Sequence, residues 1–236
     1  MTVLAPLAAR YSVLSPGEPR VEIPPEPDGV VRAMPVVLRL ERPPAARTPT
    51  LEAAARAALA LCLDPRAAPD DEWHDAVTTW VDARIRKIAR RARGAHWAAV
   101  QELPGVTVAV GDAEARALLP GPVDDVPHTV ARLQIGGTDL PDDDPGPLPP
   151  GVPVIWVNGA LGMTVGKAAA QVGHASMLDA AARALTTVPP YAVRTAGREH
   201  WAQLCRAVQR GEAVAVRDAG FTEVAPGTIT AITTPD

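Results

Sequence analysis

The chain has 236 residues, of which 47% are hydrophobic and 21% charged, and its formal net charge is −4 at pH 7. These values are typical of a globular protein of one large or two small domains, and they argue against a surface that binds nucleic acid over its whole extent. Cys62 and Cys205 are too few and too far apart for a disulfide framework or a metal knuckle. Neither a signal peptide nor an apolar run of about 18 residues is present, so we expect a cytoplasmic protein.

The first predicted elements follow a proline-rich start. Residues 1–33 are interrupted by proline, most clearly in "EIPPEPDGVV", and predict an extended, partly disordered lead-in. The segment "MPVVLRLE" (34–41) predicts a buried strand. Residues 50–64 predict a short helix rich in Ala and Leu, with Thr50 as its N-cap.

A basic segment follows. Apolar residues recur at helical spacing from residue 70 to about residue 100, and cations are concentrated in "RIRKIARRAR" (84–93). We therefore predict one basic helix here, followed by strands at 106–110 and 129–135. Together these elements form a predicted α/β unit over residues 34–135.

The stretch "GGTDLPDDDPGPLPPG" (136–151) has acidic, Pro and Gly residues without periodicity, and predicts a linker. After it, residues 152–236 predict a compact βαβαββ unit with three layers and a small mixed sheet. Its predicted elements are a strand at 153–157, a helix at 166–185, a strand at 191–195, a helix at 199–209, and strands at 213–217 and 228–233.

An internal repeat links the two halves. "GVTVAVGDAEARALLPG" (105–121) aligns without a gap on "GEAVAVRDAGFTEVAPG" (211–227) with eight identities, Asp112 with Asp218 among them. This pattern favours a duplicated α/β pseudo-dimer with a degenerate first copy, because the first copy has no counterpart of the polar residues described next. The alternative is chance matching of Val and Ala in a biased composition.

The segment "MTVGKAAAQVGHA" (163–175) places Lys167, Gln171 and His174 at helical positions i, i+4 and i+7, and therefore on one stripe. Gly166 and Lys167 fall near the helix start, where free N–H groups favour an anion. The alternative is a solvent-exposed Lys and a hydrogen-bonded core His, which would account for the same sequence without a functional site.

A second cluster is "RDAGFTEVAPGT" (217–228). Asp218 directly follows a predicted strand, and Ala219-Gly220 permits a sharp turn, so the carboxylate is expected at the strand's C-terminal end, where α/β proteins place their sites. Thr222 follows four residues later. The alternative is an Asp that only stabilises the turn.

Together these two motifs, about fifty residues apart, resemble the type 2 peptidyl-tRNA hydrolase family over residues 152–236. The family has a Met-x-x-Gly-Lys-x-x-x-Gln-x-x-His-Ala helix and an Asp-Ala-Gly-x-Thr-x-x-x-Pro-Gly-Thr loop. The resemblance implies a βαβαββ fold, a peptidyl-tRNA substrate, and hydrolysis of the ester between the peptide and the 3′ ribose, without a metal or organic cofactor.

The resemblance also implies roles for individual residues. Asp218 would orient or activate a water, Lys167 would stabilise the oxyanion or a phosphate, and Thr222 would hold the water or the carbonyl. For His174 a catalytic role and a helix-to-sheet hydrogen bond both stay open, and the second is favoured. The remaining positions carried over are Gln171 and Thr230 in the catalytic site and Gly166 and Thr228 as substrate contacts.

The chain departs from the family at four positions where charged residues, three of them cations, are expected. Asn158 and Ala160 replace an Arg and an Asp, Val165 replaces a Lys, and Phe221 replaces an Arg. Fewer cations weaken phosphate contacts, so the alternative function is a pseudoenzyme that binds RNA or protein.

Cations of the first half could compensate for this loss. Arg90 and Arg91, in the predicted basic helix, could supply a phosphate-binding ridge, although a solvated helix end, whose cations complement the helix dipole, is the favoured explanation. The full chain is expected to be a monomeric pseudo-dimer or a homodimer.

Overall fold

Two small mixed β-sheets, one in each half of the chain, organise this mixed α/β protein. The computed structural model describes residues 2–11, 25–26, 28–218 and 224–235. The elements of the first half are α1 (Ala5–Arg10), β1 (Arg32–Arg39), α2 (Arg47–Cys62), α3 (His74–Asp82), β2 (Lys87–Ala92), α4 (Gly94–Gln101), β3 (Gly105–Val110), β4 (Ala113–Leu118), β5 (Gly121–Pro122) and α5 (His128–Ala131). Those of the second half are β6 (Val154–Asn158), α6 (Val165–Ala182), β7 (Ala192–Ala196), α7 (Arg198–Gln209), β8 (Val214–Arg217) and β9 (Ile229–Thr234).

Both sheets have the same strand order. In the first sheet the order is β2-β1-β4-β3, with β1 parallel to β2 and antiparallel to β4, while β5 pairs with the start of β1. In the second sheet the order is β7-β6-β9-β8, with β6 parallel to β7 and antiparallel to β9. The predicted βαβαββ order of the second half is confirmed.

The second half has three layers. Helix α6 packs on one face of its sheet through buried Ala and Val residues, and Ile155 of β6 is fully buried in the same core. On the other face, Leu204 of α7 packs against Ile232 of β9. Because buried apolar area supplies most of the folding free energy, packing of the two helices on opposite faces of the sheet fixes the position of α6 on it.

Helices α2 and α6 pack against each other between the two sheets. Their small residues permit a close approach, since a Cβ added at Gly173 would lie 3.1 Å from the Cβ of Ala58. Ser176 Oγ of α6 donates a hydrogen bond to the carbonyl of Ala55 in α2, at 2.8 Å. One apolar core consequently runs through both halves, with Leu59 on one side and Leu178 on the other.

The predicted basic helix is wrong. Residues 70–100 form the short helix α3, the strand β2 and the short helix α4. Strand β2 pairs in parallel with β1, so that Arg90 lies opposite Val37, and Gly94 begins α4 with a φ of 49°. Pairing with a buried strand outweighs the helical spacing of the apolar residues, because strand formation depends more on tertiary context than on local pattern.

Three other local predictions are also wrong. The predicted strand at 129–135 is helix α5 followed by an isolated bridge between Gln134 and Arg91. The lead-in 1–33 contains α1, which is fixed by the buried Leu4 and Leu7, while residues 12–24 lie outside the described residues. Thr50 is inside α2 rather than at its N-cap, and its hydroxyl donates to the Ala46 carbonyl at 2.7 Å.

The ungapped repeat holds only for its first part. Strands β3 and β8 occupy matching places, but β4 begins directly after the turn at Asp112, whereas residues 218–228 separate β8 from β9. Pro120-Gly121 thus follows β4, and Pro226-Gly227 precedes β9. The two Pro-Gly pairs are therefore not equivalent in the structure.

Residues 136–151, the predicted linker, contain neither helix nor strand, and they are hydrogen-bonded to both halves. Asp143 Oδ1 accepts hydrogen bonds from the backbone N and the hydroxyl of Thr48, both at 2.9 Å, at the start of α2. Thr138 is buried and accepts a bond from Gly166 N at 3.1 Å, at the start of α6. Residues 136–151 are thus packed against the N-termini of α2 and α6.

Among the described residues no helix combines the length and apolar character needed to span a membrane.

Candidate active site

The turn between β6 and α6 positions the first turn of the motif helix. Asn158 Oδ1 accepts a hydrogen bond from Ala160 N at 3.1 Å, and Gly162 takes the left-handed conformation with a φ of 55°. Thr164 is the N-cap of α6, and its hydroxyl accepts from Lys167 N at 3.2 Å. A capped first turn holds Lys167 at a defined place beside the second sheet.

Lys167 and Asp218 form a buried ion pair. Lys167 Nζ donates to Asp218 Oδ2, and the two side chains are only 10% and 6% exposed. Gln171, one helical turn after Lys167, donates from Nε2 to the same carboxylate oxygen at 2.9 Å. The structure therefore brings the helix motif and the loop motif together at a single carboxylate.

Thr230 supports this arrangement from the neighbouring strand. Its side chain is fully buried in β9, and its hydroxyl donates to Gln171 Oε1. Since Oε1 accepts from Thr230, the amide of Gln171 presents Nε2 to Asp218. Thr230 thus acts on the carboxylate through Gln171.

The backbone around Asp218 is fixed at the end of β8. The strand ladder has an irregularity between Val216 and Arg217, just before the carboxylate. Asp218 N donates to the Thr228 carbonyl at 2.9 Å, and Gly227 N donates to the Asp218 carbonyl at 2.7 Å. In the structure the Thr228 carbonyl thus accepts from the Asp218 amide, and the substrate contact expected of Thr228 stays a prediction. Thr222 and Phe221 lie outside the described residues.

Gly166 has a protein partner where the sequence predicts a substrate anion. Its N–H donates to Thr138 Oγ1, and a Cβ at Gly166 would lie 2.9 Å from that oxygen. The same Cβ would lie 3.6 Å from Ala89 of β2. Gly166 is buried against the linker and the first half, so its lack of a side chain serves packing.

His174 faces the first half of the molecule. Its Nδ1 lies 3.2 Å from Nζ of Lys87 in β2. Burial, with the charges of Lys87 and Lys167, lowers the pKa of His174 well below its ordinary value, so the imidazole is neutral near pH 7. Of the two roles left open by the sequence, the geometry agrees with the hydrogen bond between helix and sheet.

Arg90 and Arg91 do not form a helical ridge. They lie on β2, where successive side chains point to opposite faces. Arg90 Nη1 donates to the Leu133 carbonyl at 3.0 Å, and burial lowers the pKa of Arg90. Arg91 donates to Gln134 Oε1. The expected phosphate ridge is replaced by contacts that hold residues 133–134 on the edge of the first sheet.

Three of the positions at which the resemblance leads us to expect charged residues lie in the described part of the chain, and all three hold uncharged side chains. Asn158 is buried, closes the turn before α6 and donates to the Ile229 carbonyl at 3.4 Å. Val165 is fully buried in the core, and Ala160 is exposed in a 3-10 turn.

A cavity of about 340 Å³ lies between the linker and the end of β6. Its lining residues are Arg47, Asp139, Leu140, Pro141, Asp142, Val157, Asn158, Gly159, Gly162, Met163, Thr164, Val165 and Thr195. It therefore borders the capped start of α6, while neither Lys167 nor Asp218 lines it.

In the described ranges no cluster of three or more His, Cys, Asp or Glu residues could hold a metal ion.

Comparison of this chain with protein-family models, with curated proteins and with solved structures finds no match. The functional assignment therefore depends on the residues themselves. Two contributors, Lys87 and Thr138, were not predicted as parts of a site. The scarcity of lysine in this chain is the one sequence signal that could have drawn attention to Lys87.

Proposed function

We propose that this chain is a cytoplasmic peptidyl-tRNA hydrolase, which cleaves the ester between a peptide and the 3′ ribose of tRNA. The observation that carries the proposal is the convergence of Lys167 and Gln171 on one oxygen of Asp218. The two motifs that resemble the type 2 family are separate in sequence and meet at this carboxylate. Lys167 is thus not a solvent-exposed side chain, and the Asp218 carboxylate contacts helix α6 and not only its own turn.

The arrangement suits ester hydrolysis. Asp218 orients a water whose oxygen bonds to the ester carbonyl carbon, and the bond from that carbon to the ribose 3′ oxygen then breaks. One proton of the water passes to the ribose oxygen and the other to solvent, so the ribose regains its 3′ hydroxyl and the peptide leaves as a carboxylate. Lys167 supplies positive charge where the carbonyl oxygen becomes negative, in surroundings that water screens poorly. We retain for Thr222 the role of holding the water or the carbonyl.

A second function, an RNA- or protein-binding module without catalysis, is favoured by the start of α6. The Gly166 N–H already donates to Thr138 Oγ1, and Val165 is apolar where the family has a cation. Both features reduce the positive potential that a phosphate-rich substrate needs. This module would keep the fold and use the site around Asp218 for binding alone.

Binding and cleavage measured together separate the two functions. The purified chain, Lys167→Ala and Asp218→Asn are each incubated with an N-acetyl-aminoacyl-tRNA, and both tRNA binding and release of the N-acetyl-amino acid are followed. The hydrolase predicts cleavage by the wild type that both variants lose, with folding verified by circular dichroism. Binding without cleavage above the variants would establish the module instead.

We further propose that the two halves are copies of one unit that pack as a pseudo-dimer. The shared strand order and the pairing of α2 with α6 support this proposal. Helix α2 contains neither Lys nor Gln, so the first copy would serve structure only. Residues 152–236 alone would then expose the α6 face that α2 covers and should self-associate, and a stable monomer would count against the pseudo-dimer.

A further inference from the structure

The two lysines of this chain lie at the same helix, α6: Lys167 is part of it and Lys87 contacts it from β2. Lys167 is paired with a carboxylate, whereas Lys87 contacts an imidazole. Lys167, in the first turn of α6, is held against the Asp218 carboxylate. Lys87 reaches α6 from β2 and meets His174, two turns further along. The second amine plays no part in the proposed hydrolysis.

Contacts hold the Lys87 amine in place. Its Nζ donates to the Ile85 carbonyl at 3.3 Å, lies 3.2 Å from His174 Nδ1, and lies 5.0 Å from the centroid of the Trp80 ring. The aliphatic part of the side chain crosses Gly173, where a Cβ would come within 3.1 Å of Cδ and Cε. Lys87 and His174 are both intermediate in exposure.

The surroundings of Lys87 favour the neutral amine. The ionisable groups that act on it are Cys62 from α2 and His174 from α6, and neither is a carboxylate. Burial lowers the pKa of Lys87 from 10.5 to about 7, and burial also keeps the His174 imidazole neutral by lowering its pKa. A neutral amine beside a neutral imidazole is a nucleophile with a proton acceptor in contact.

We propose that Lys87 is a covalent modification site, at which its amine takes acyl groups from small acyl phosphates or acyl thioesters with His174 as the proton acceptor. The lone pair of Nζ forms a bond with the carbonyl carbon. The bond from that carbon to the phosphate oxygen or thiol sulfur breaks, and the leaving group departs with the electron pair. The proton lost by Nζ passes to His174 Nδ1 and then to solvent, leaving an amide.

Competition between the two lysines of one molecule tests this site. The full chain is treated with limiting acetyl phosphate at several pH values, digested with an enzyme that does not cut at lysine, and analysed by mass spectrometry. Lys87 should be acetylated about tenfold faster than Lys167 or more at pH 7.5, since burial leaves much of the Lys87 amine unprotonated, whereas the Lys167 amine is held against the Asp218 carboxylate. Its rate should level off above about pH 8. Equal rates at both lysines would overturn the proposal.

Two controls separate the parts of the mechanism. An uncharged acetyl thioester should acetylate Lys87 with the same preference. If only acetyl phosphate is selective, the selectivity comes from electrostatic attraction of the phosphate to the protein, and the claim that the Lys87 amine is unusually nucleophilic is overturned. His174→Gln should slow acetylation of Lys87 and leave that of Lys167 unchanged. An unaffected Lys87 rate in this variant would remove His174 as the proton acceptor. Lys87→Arg should abolish the Lys87 adduct.

Discussion

Thr230 donates a hydrogen bond to Gln171, and this contact determines which end of the Gln171 amide faces Asp218. The catalytic carboxylate proposed here is thus held by a chain of bonds that starts on a different strand. Positioning of this kind is testable because removal of Thr230 leaves the ionisable groups of the site unchanged.

Thr230→Val should lower ester cleavage about tenfold and the free energy of unfolding by about 1–2 kcal/mol, because the buried Gln171 oxygen loses its donor. Cleavage of N-acetyl-aminoacyl-tRNA and urea denaturation measure the two effects. Thr230→Ser keeps the hydroxyl and should retain most of the activity. If the Val and Ser variants are equally active, the hydroxyl has no positioning role.

The Lys167–Asp218 pair should show energetic coupling. Lys167→Met leaves the Asp218 charge buried without this partner and should cost about 3 kcal/mol of unfolding free energy. Adding Asp218→Asn removes the charge, so the double variant should recover part of that loss. Urea denaturation of all four proteins gives the coupling energy, and simple addition of the two single losses would contradict the pair.

Lys87→Met should change the pH dependence of stability. The unfolded chain holds the Lys87 proton up to its ordinary pKa of 10.5, whereas the folded chain releases it near its pKa of about 7. Unfolding therefore takes up a proton between these values, and this lysine makes the wild type more stable as pH rises. The variant should be more stable by about 1–2 kcal/mol at pH 7, since the partly exposed residue is partly screened.

This gap in unfolding free energy between the variant and the wild type should narrow as pH rises from 7 toward 9, which denaturant titrations at several pH values measure. Burial raises the pKa of the Cys62 thiol from 9.0 to about 12, so its own contribution begins near pH 9, but both proteins contain this thiol and it cancels in the difference. A gap that does not change from pH 7 to pH 9 would mean that Lys87 keeps its proton in the folded chain.

Gly166→Ala should be destabilising by about 1–3 kcal/mol, because its Cβ would meet Thr138 Oγ1 at 2.9 Å. Adding Thr138→Ala removes the obstructing atoms and should restore part of the stability, although the Gly166 amide then loses its acceptor. Thermal unfolding of the single and double variants checks this. Equal instability of Gly166→Ala with and without Thr138 would contradict the proposed contact.

The elements of the second half were predictable because its strands and helices follow clear local patterns. Strand 153–157 was predicted and spans 154–158, and the predicted helix 199–209 starts one residue earlier, at 198. The basic segment 84–93 misled the prediction because its buried positions also fit helical spacing. Only the partner strand β1, distant in sequence, decides that this segment is extended.

The polar contacts of the site were likewise predictable from the sequence only in part. The spacing of Lys167 and Gln171 on one helix face was readable from the sequence, and both contact Asp218. The partners of Gly166 and His174 were not readable, because Thr138 and Lys87 come from distant segments that the fold brings to α6. Local sequence thus gives the direction of a helical side chain, and tertiary packing decides what it meets.

The most direct test of the hydrolase is a single-turnover measurement of ester cleavage, with the protein in excess over an N-acetyl-aminoacyl-tRNA. The wild type should release the N-acetyl-amino acid with a rate constant about 10²–10⁴ times that of folded Asp218→Asn, the range expected when a catalytic group is removed. Both proteins must bind the tRNA for the comparison to hold. Equal rate constants in the two bound complexes would contradict the proposal that the Asp218 carboxylate carries the reaction.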